Sequence, residues 1–166
     1  MFPASLRGLS LAIERYRTAA QDPASSAEDV FIPLSEALSW AFSVDDALLK
    51  LRDDTPERQE HRRRYTAARA ADPKGPYVVG LRFARNRCTH QLALVAERGH
   101  LAPPLRPPIT VGLVFRWRPV AELPEASSGQ DHGKGEYVGY LAGDAAENTL
   151  QYVTDWLYRA VEQFVS

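Results

Sequence analysis

Six consecutive positions, Arg85-Asn86-Arg87-Cys88-Thr89-His90, place a permanent cation, an amide and an imidazole side by side. Such a cluster can hold a charge and exchange a proton near neutral pH. Asn86 and His90 are four residues apart, so on a helix they stand one turn above each other, with Arg85 to one side and long enough to reach the same place. Cys88 is the only cysteine. It has no partner for an internal disulfide, and its apolar setting fits a small core side chain better than a nucleophile. The chain has no metal-binding spacing of Cys and His, no Gly-rich phosphate loop and no serine-nucleophile elbow.

The element expected to carry the cluster is a helix from Tyr77 to Glu97. Tyr77, Leu81, Ala84, Cys88, Leu92 and Val95 repeat at three and four and form its core stripe. Asn86 and His90 lie opposite, framed by Val79, Phe83 and Leu94 rather than by Lys and Glu. A polar pair in an apolar frame suggests a cleft or a subunit interface. Asp72-Pro73-Lys74-Gly75-Pro76 breaks the chain before this helix, and Gly99 is placed to end it.

Other helices follow from the same periodicity. Leu6, Leu9, Ile13 and Tyr16 predict a first helix that fades at Gln21-Asp22-Pro23. After a linker at residues 24–27, Asp29 is expected to cap a second, with Pro33 in its first turn. Leu34, Leu38, Ala41, Leu48 and Leu51 form its buried face, widened by Trp40, Phe42 and Val44, and its acids Glu36, Asp45 and Asp46 read as solvated or surface-paired groups. Thr55-Pro56-Glu57 is a helix start, but the following Arg58-Gln59-Glu60-His61-Arg62-Arg63-Arg64 has almost no apolar stripe and reads as an outer face, His61 included. Pro103 to Pro108 is expected to be extended. Ile109 to Val120 reads as a strand with Val111, Leu113, Phe115 and Trp117 on one side and Arg116 and Arg118 on the other. Across a loop at residues 124–135, which contains His132, a shorter strand is expected at Glu136 to Leu141. Asp144 and Glu147 have capping-box spacing before a last helix marked by Ala146, Leu150, Val153, Leu157, Val161 and Phe164. The expected fold is all-α, an antiparallel helical bundle with an inserted β-hairpin near residues 109–141, in one domain spanning residues 1–166.

Composition sets outer limits. The 166 residues are 45% hydrophobic and 25% charged, enough for one domain with a core. Twenty basic and twenty-one acidic residues leave a formal charge of −1, so attraction to nucleic acid has to come from a local patch. No stretch approaches the ~20 apolar residues of a membrane span, and a cytoplasmic location is expected.

The arginine, the asparagine directly after it and the histidine four residues further resemble the signature of the HEPN superfamily, small helical-bundle proteins, and point to a divergent, actinobacterial-type branch. The resemblance covers the central helix and agrees with the bundle predicted for most of the chain, whereas the strand pair departs from the minimal HEPN fold. It implies a metal-independent RNA endonuclease of toxin–antitoxin or phage-defence type, acting as a homodimer without a cofactor. His90 would move protons, Arg85 would hold the phosphate, and Asn86 would orient the histidine or the scissile phosphate. Arg82, Arg87, Arg62, Arg63 and Arg64 would bind nucleic acid; Val79, Phe83 and Leu94 would form the dimer interface. Partners implied are RNA, a second copy, and an antitoxin or regulatory protein. Some HEPN toxins are silenced through a tyrosine two positions beyond the histidine; here that residue is Leu92. The alternative within the family is a non-catalytic dimerisation or RNA/ligand-binding module.

Overall fold

The computed structural model describes residues 2–51, 56–101, 113–125 and 131–165. In chain order these form α1 (Phe2–Gln21), α2 (Ala27–Leu49), α3 (Pro56–Ala71), α4 (Gly75–Gln91), β1 (Ala96–Gly99), β2 (Val114–Trp117), a 3-10 turn at Val120–Glu122, α5 (Lys134–Glu136) running into a π-helical turn at Tyr137–Leu141, and α6 (Ala146–Val165). The fold is a helical bundle with an inserted two-stranded antiparallel hairpin, the class expected. Among the described residues, no helix is long and apolar enough to cross a membrane.

The periodic apolar residues become the core. Leu6, Leu9, Ile13 and Tyr16 of α1, Leu34, Leu38, Ala41 and Leu48 of α2, Leu81, Ala84 and Cys88 of α4, and Leu150, Val153 and Leu157 of α6 belong to one buried cluster. Helix α2 starts earlier than expected. Its N-cap is Ser26, and Asp29 is the third helical residue of a capping box in which each residue's side chain accepts the other's backbone N–H. Those bonds from Ser26, the backbone one foremost, hold the Asp29 carboxyl below the usual carboxylate range. Pro33 therefore lies inside the helix rather than in its first turn. Helix α3 also departs from expectation. His61 and Tyr65 are buried and Ala68 packs on the core, a short stripe at three and four among the arginines. The His61 ring nitrogen Nε2 lies 2.7 Å from the Leu48 carbonyl, and the ring meets Phe164 edge-on.

The hairpin is real but its partners differ from those expected. β2 pairs with β1, Ala96 opposite Trp117 and Gly99 opposite Val114, not with residues 136–141. Phe115 and Trp117 are buried as expected, and the Trp117 indole N–H donates to the Thr149 hydroxyl at 2.9 Å. Residues 136–141 are helical. Gly133, at φ 82°, turns the chain into α5, and the Ala142 N–H bonds the Tyr137 carbonyl, the i to i−5 pattern of a π turn. This turn packs on Gly80, where a Cβ would stand 2.7 Å from the Leu141 side chain and 3.1 Å from the Tyr137 nitrogen. The expected cap at Thr55, the extended Pro103–Pro108 run, the strand from Ile109 through Val111 and residues 126–130 of the expected loop lie outside the described residues.

Candidate functional site

Helix α4 begins where the chain folds back hard on α3. The backbone N–H of Lys74 donates to Asp72 Oδ1 at 2.8 Å, Gly75 N–H bonds the Asp72 carbonyl at 2.9 Å, and Pro76 occupies the first turn. Gly75 is required by proximity, since a Cβ there would lie 1.7 Å from the Arg69 carbonyl oxygen. The helix stops at Gln91, six residues short of the expected end. Leu92 adopts φ 48°, and its N–H closes on the Arg87 carbonyl. The next residues leave for β1, and Gly99 belongs to that strand. Leu92, expected in the core stripe, is 79% exposed.

Three arginines of α4 have distinct fates. Arg82 reaches Asp45 of α2 with Nε, at 2.8 Å, and with Nη2. The same carboxylate accepts the Tyr65 hydroxyl at 2.5 Å and Arg69 Nη1 at 2.8 and 3.0 Å. Asp45 is 1% exposed, so one carboxylate ties α2, α3 and α4 together against two guanidiniums. Burial, and then the charge of Asp45, push the Tyr65 hydroxyl far above the ordinary tyrosine range. Arg87 is 2% exposed. Its guanidinium lies 4.5 Å over the Phe83 ring and bonds Gln91 and Asp131 at 3.2 and 2.9 Å. Arg85 has no carboxylate partner among the described residues. It stacks 4.5 Å over the Phe42 ring, and Nη1 lies 3.5 Å from the Asn86 amide oxygen.

The structure thus keeps part of the predicted site together. Arg85 and Asn86 touch, Asn86 is half-buried, and His90 is exposed one turn further along α4. Of the arginines expected to bind nucleic acid, Arg82 is held by the buried Asp45 and Arg87 by the exposed Asp131, so each already has a carboxylate partner in this chain. Asp45 meets the charge of Arg82 inside the fold, whereas Asp131, 56% exposed, meets that of Arg87 at the surface. Arg62, Arg63 and Arg64 are exposed on α3, where Arg63 lies 3.3 Å from Glu60. The expected interface also changes. Phe83 is 0% exposed and packs 4.9 Å from the Tyr137 ring, because the π turn covers it. Val79 and Leu94 are half-buried, and Leu94 lies beyond the helix end with its carbonyl 3.4 Å from Arg118 Nη1. Burial pushes the Cys88 thiol up to about 11, against the opposite pull of Arg85, in keeping with a core residue.

Asp45 is the residue sequence reasoning missed. Its signal was present: it lies four residues after Ala41 and seven after Leu38, on the apolar stripe of α2, where an acid demands buried partners. His61 carried a similar signal through its spacing from Tyr65. Comparison with protein-family models, with curated proteins and with solved structures gives no match.

Proposed function

We propose that this chain is a metal-independent RNA endonuclease of toxin or defence type that acts as a cytoplasmic homodimer. The observation that supports this best is Arg85. It alone among Arg82, Arg85 and Arg87 has no internal carboxylate, it is steadied by Phe42 and Asn86, and His90 stands exposed on the same helix end. A fixed guanidinium with unspent charge suits a phosphate. The 2′-oxygen of RNA would bond to the adjacent phosphorus as the bond to the 5′-oxygen breaks, leaving a 2′,3′-cyclic phosphate and a 5′-hydroxyl. One proton leaves the 2′-hydroxyl and one arrives at the 5′-oxygen, so a dimer that brings two His90 side chains together supplies both base and acid. Arg85 would stabilise the charge growing on the phosphoryl oxygens, a role worth about 2.7–4 kcal/mol for a fixed donor.

Incubating the protein with total RNA in EDTA, beside Arg85→Ala and His90→Ala, tests this. Cleavage by the wild type alone supports it; equal cutting by all three, or none by the wild type, removes it. Leu92 favours a second function, a non-catalytic dimerisation or RNA-binding module, with an antitoxin or regulatory protein among its partners. A leucine in the left-handed region and 79% exposed is unfavourable in isolation and suits a contact surface. An intact dimer that binds RNA and never cuts it would establish that function instead.

A further inference from the structure

A cleft of about 360 Å³ opens between the end of α3, the start of α4 and the turn that leads into α5. Its floor is apolar, from Ala70, Pro76 and Val79, and its polar lining is Thr66, Arg69, His132 and Glu136. Two close approaches set its shape. Gly75 seats α4 against the Arg69 carbonyl, and Gly133 seats the turn so near α4 that a Cβ would lie 2.2 Å from the Val79 carbonyl oxygen. The cleft shares a face with the motif: Val79 and Asn86 are seven residues apart, within about 20° of two full turns and about 10 Å along the helix.

The polar groups are arranged for a ligand rather than for each other. Both bonds from Arg69 to Asp45 come from Nη1, so Nε and Nη2 remain as donors. The carboxylate of Glu136, a half-buried residue, has neither an ion pair nor a hydrogen bond among the described residues, and it forms no salt bridge with Arg69 across the cleft. A carboxylate and a guanidinium that share a cleft without meeting can be bridged by a flat molecule with adjacent donors on one side and an acceptor on the other. Guanine presents such an edge: N1–H and N2–H for a carboxylate, O6 for a guanidinium. Adenine and cytosine turn a ring-nitrogen acceptor toward the carboxylate, and uracil offers a single N–H between two carbonyls.

We propose that this cleft takes one unstacked guanine of the RNA substrate, with Glu136 and Arg69 reading its edge and Val79 and Pro76 against its face. This rests on the ribonuclease function proposed above and adds a base preference to it. The cleft volume lies within the range of small-molecule sites, about 300–1,000 Å³. The test is titration of the wild-type protein, Glu136→Gln and Thr66→Trp with GMP, AMP, UMP and CMP, followed by calorimetry or NMR. GMP is expected to bind roughly 10- to 100-fold more tightly than the others, and Glu136→Gln to lose that preference. Thr66→Trp, a change at an exposed α3 position, is expected to block GMP while leaving the melting temperature unchanged. Equal binding of all four nucleotides, undiminished GMP binding in Glu136→Gln, or no binding at millimolar concentration would overturn the proposal. The two functions fail separately. RNA cut without regard to guanine, with no GMP bound, removes the subsite alone, whereas GMP bound through Glu136 with RNA never cut leaves the subsite and removes the nuclease.

Discussion

Replacing Asp45 with alanine should be among the most damaging single changes in this protein. The substitution deletes the carboxylate bound by both Arg69 and Arg82, whose side chains are 11% and 15% exposed, and strands the Tyr65 hydroxyl. Breaking a buried ion pair by removing one partner costs about 3–5 kcal/mol. Both guanidiniums lie near the margin of the fold and can take up some water, which favours the lower end, about 3 kcal/mol. Loss of the tyrosine's acceptor adds about 1 kcal/mol. For a domain of this size each kcal/mol moves the melting temperature by about 2–4 °C, so the melting temperature should fall by about 8–16 °C. Calorimetry and urea denaturation would measure it, and high salt should change the difference little because the charges are buried. Arg82→Ala combined with Asp45→Ala should cost less than the sum of the single changes, since they share one interaction. A loss below 1 kcal/mol for Asp45→Ala, or strict additivity of the pair, would refute the view that this carboxylate pins α2, α3 and α4 together.

Other outcomes follow from burial and charge. The Cys88 thiol should resist thiol reagents at pH 8 in the folded state and react only as the chain unfolds, because burial pushes it up to about 11; fast labelling of native protein would contradict this. Burial raises the hydroxyls of Tyr16, Tyr65 and Tyr137 above their unfolded value. The unfolded chain therefore loses these protons first, and stability present below about pH 10 should decline as pH rises beyond it; an urea midpoint that stays flat from pH 9 to pH 11 would count against this. Arg87→Ala should destabilise the fold. Replacing Arg62, Arg63 and Arg64 together should leave the fold intact and flatten the salt dependence of any RNA binding, whereas an unchanged slope assigns them to plain surface.

Much of the bundle was legible because three-and-four periodicity of apolar residues is a direct consequence of burying one helix face. Leu6 to Tyr16, Leu34 to Leu48 and Ala146 to Leu157 all read correctly for that reason. Ends and partners were harder. Helix α4 stops on a leucine in the left-handed region, where the sequence offers Gly99 as the more plausible stop. Residues 136–141, rich in β-formers, become the end of α5 and the π turn because Gly133 and Gly80 allow the backbone to close against α4. Local propensity contains neither contact. The motif Arg85, Asn86 and His90 was visible as residue types, but which arginine is unpaired depends on Asp45 and Asp131, far along the chain.

If RNA is cut by its own 2′-hydroxyl at a site built from Arg85 and His90, as proposed, the 2′-oxygen on the 5′ side of the scissile bond is indispensable. The most direct measurement uses an oligonucleotide the protein cleaves and its twin carrying a single 2′-deoxy residue on the 5′ side of the scissile bond, both in EDTA, with the product ends weighed by mass spectrometry. Cyclic-phosphate ends from the first and no cleavage at the modified position in the second are predicted. Cleavage that persists at the deoxy position, or products ending in a 3′-hydroxyl, would contradict the mechanism and with it the roles given to Arg85 and His90.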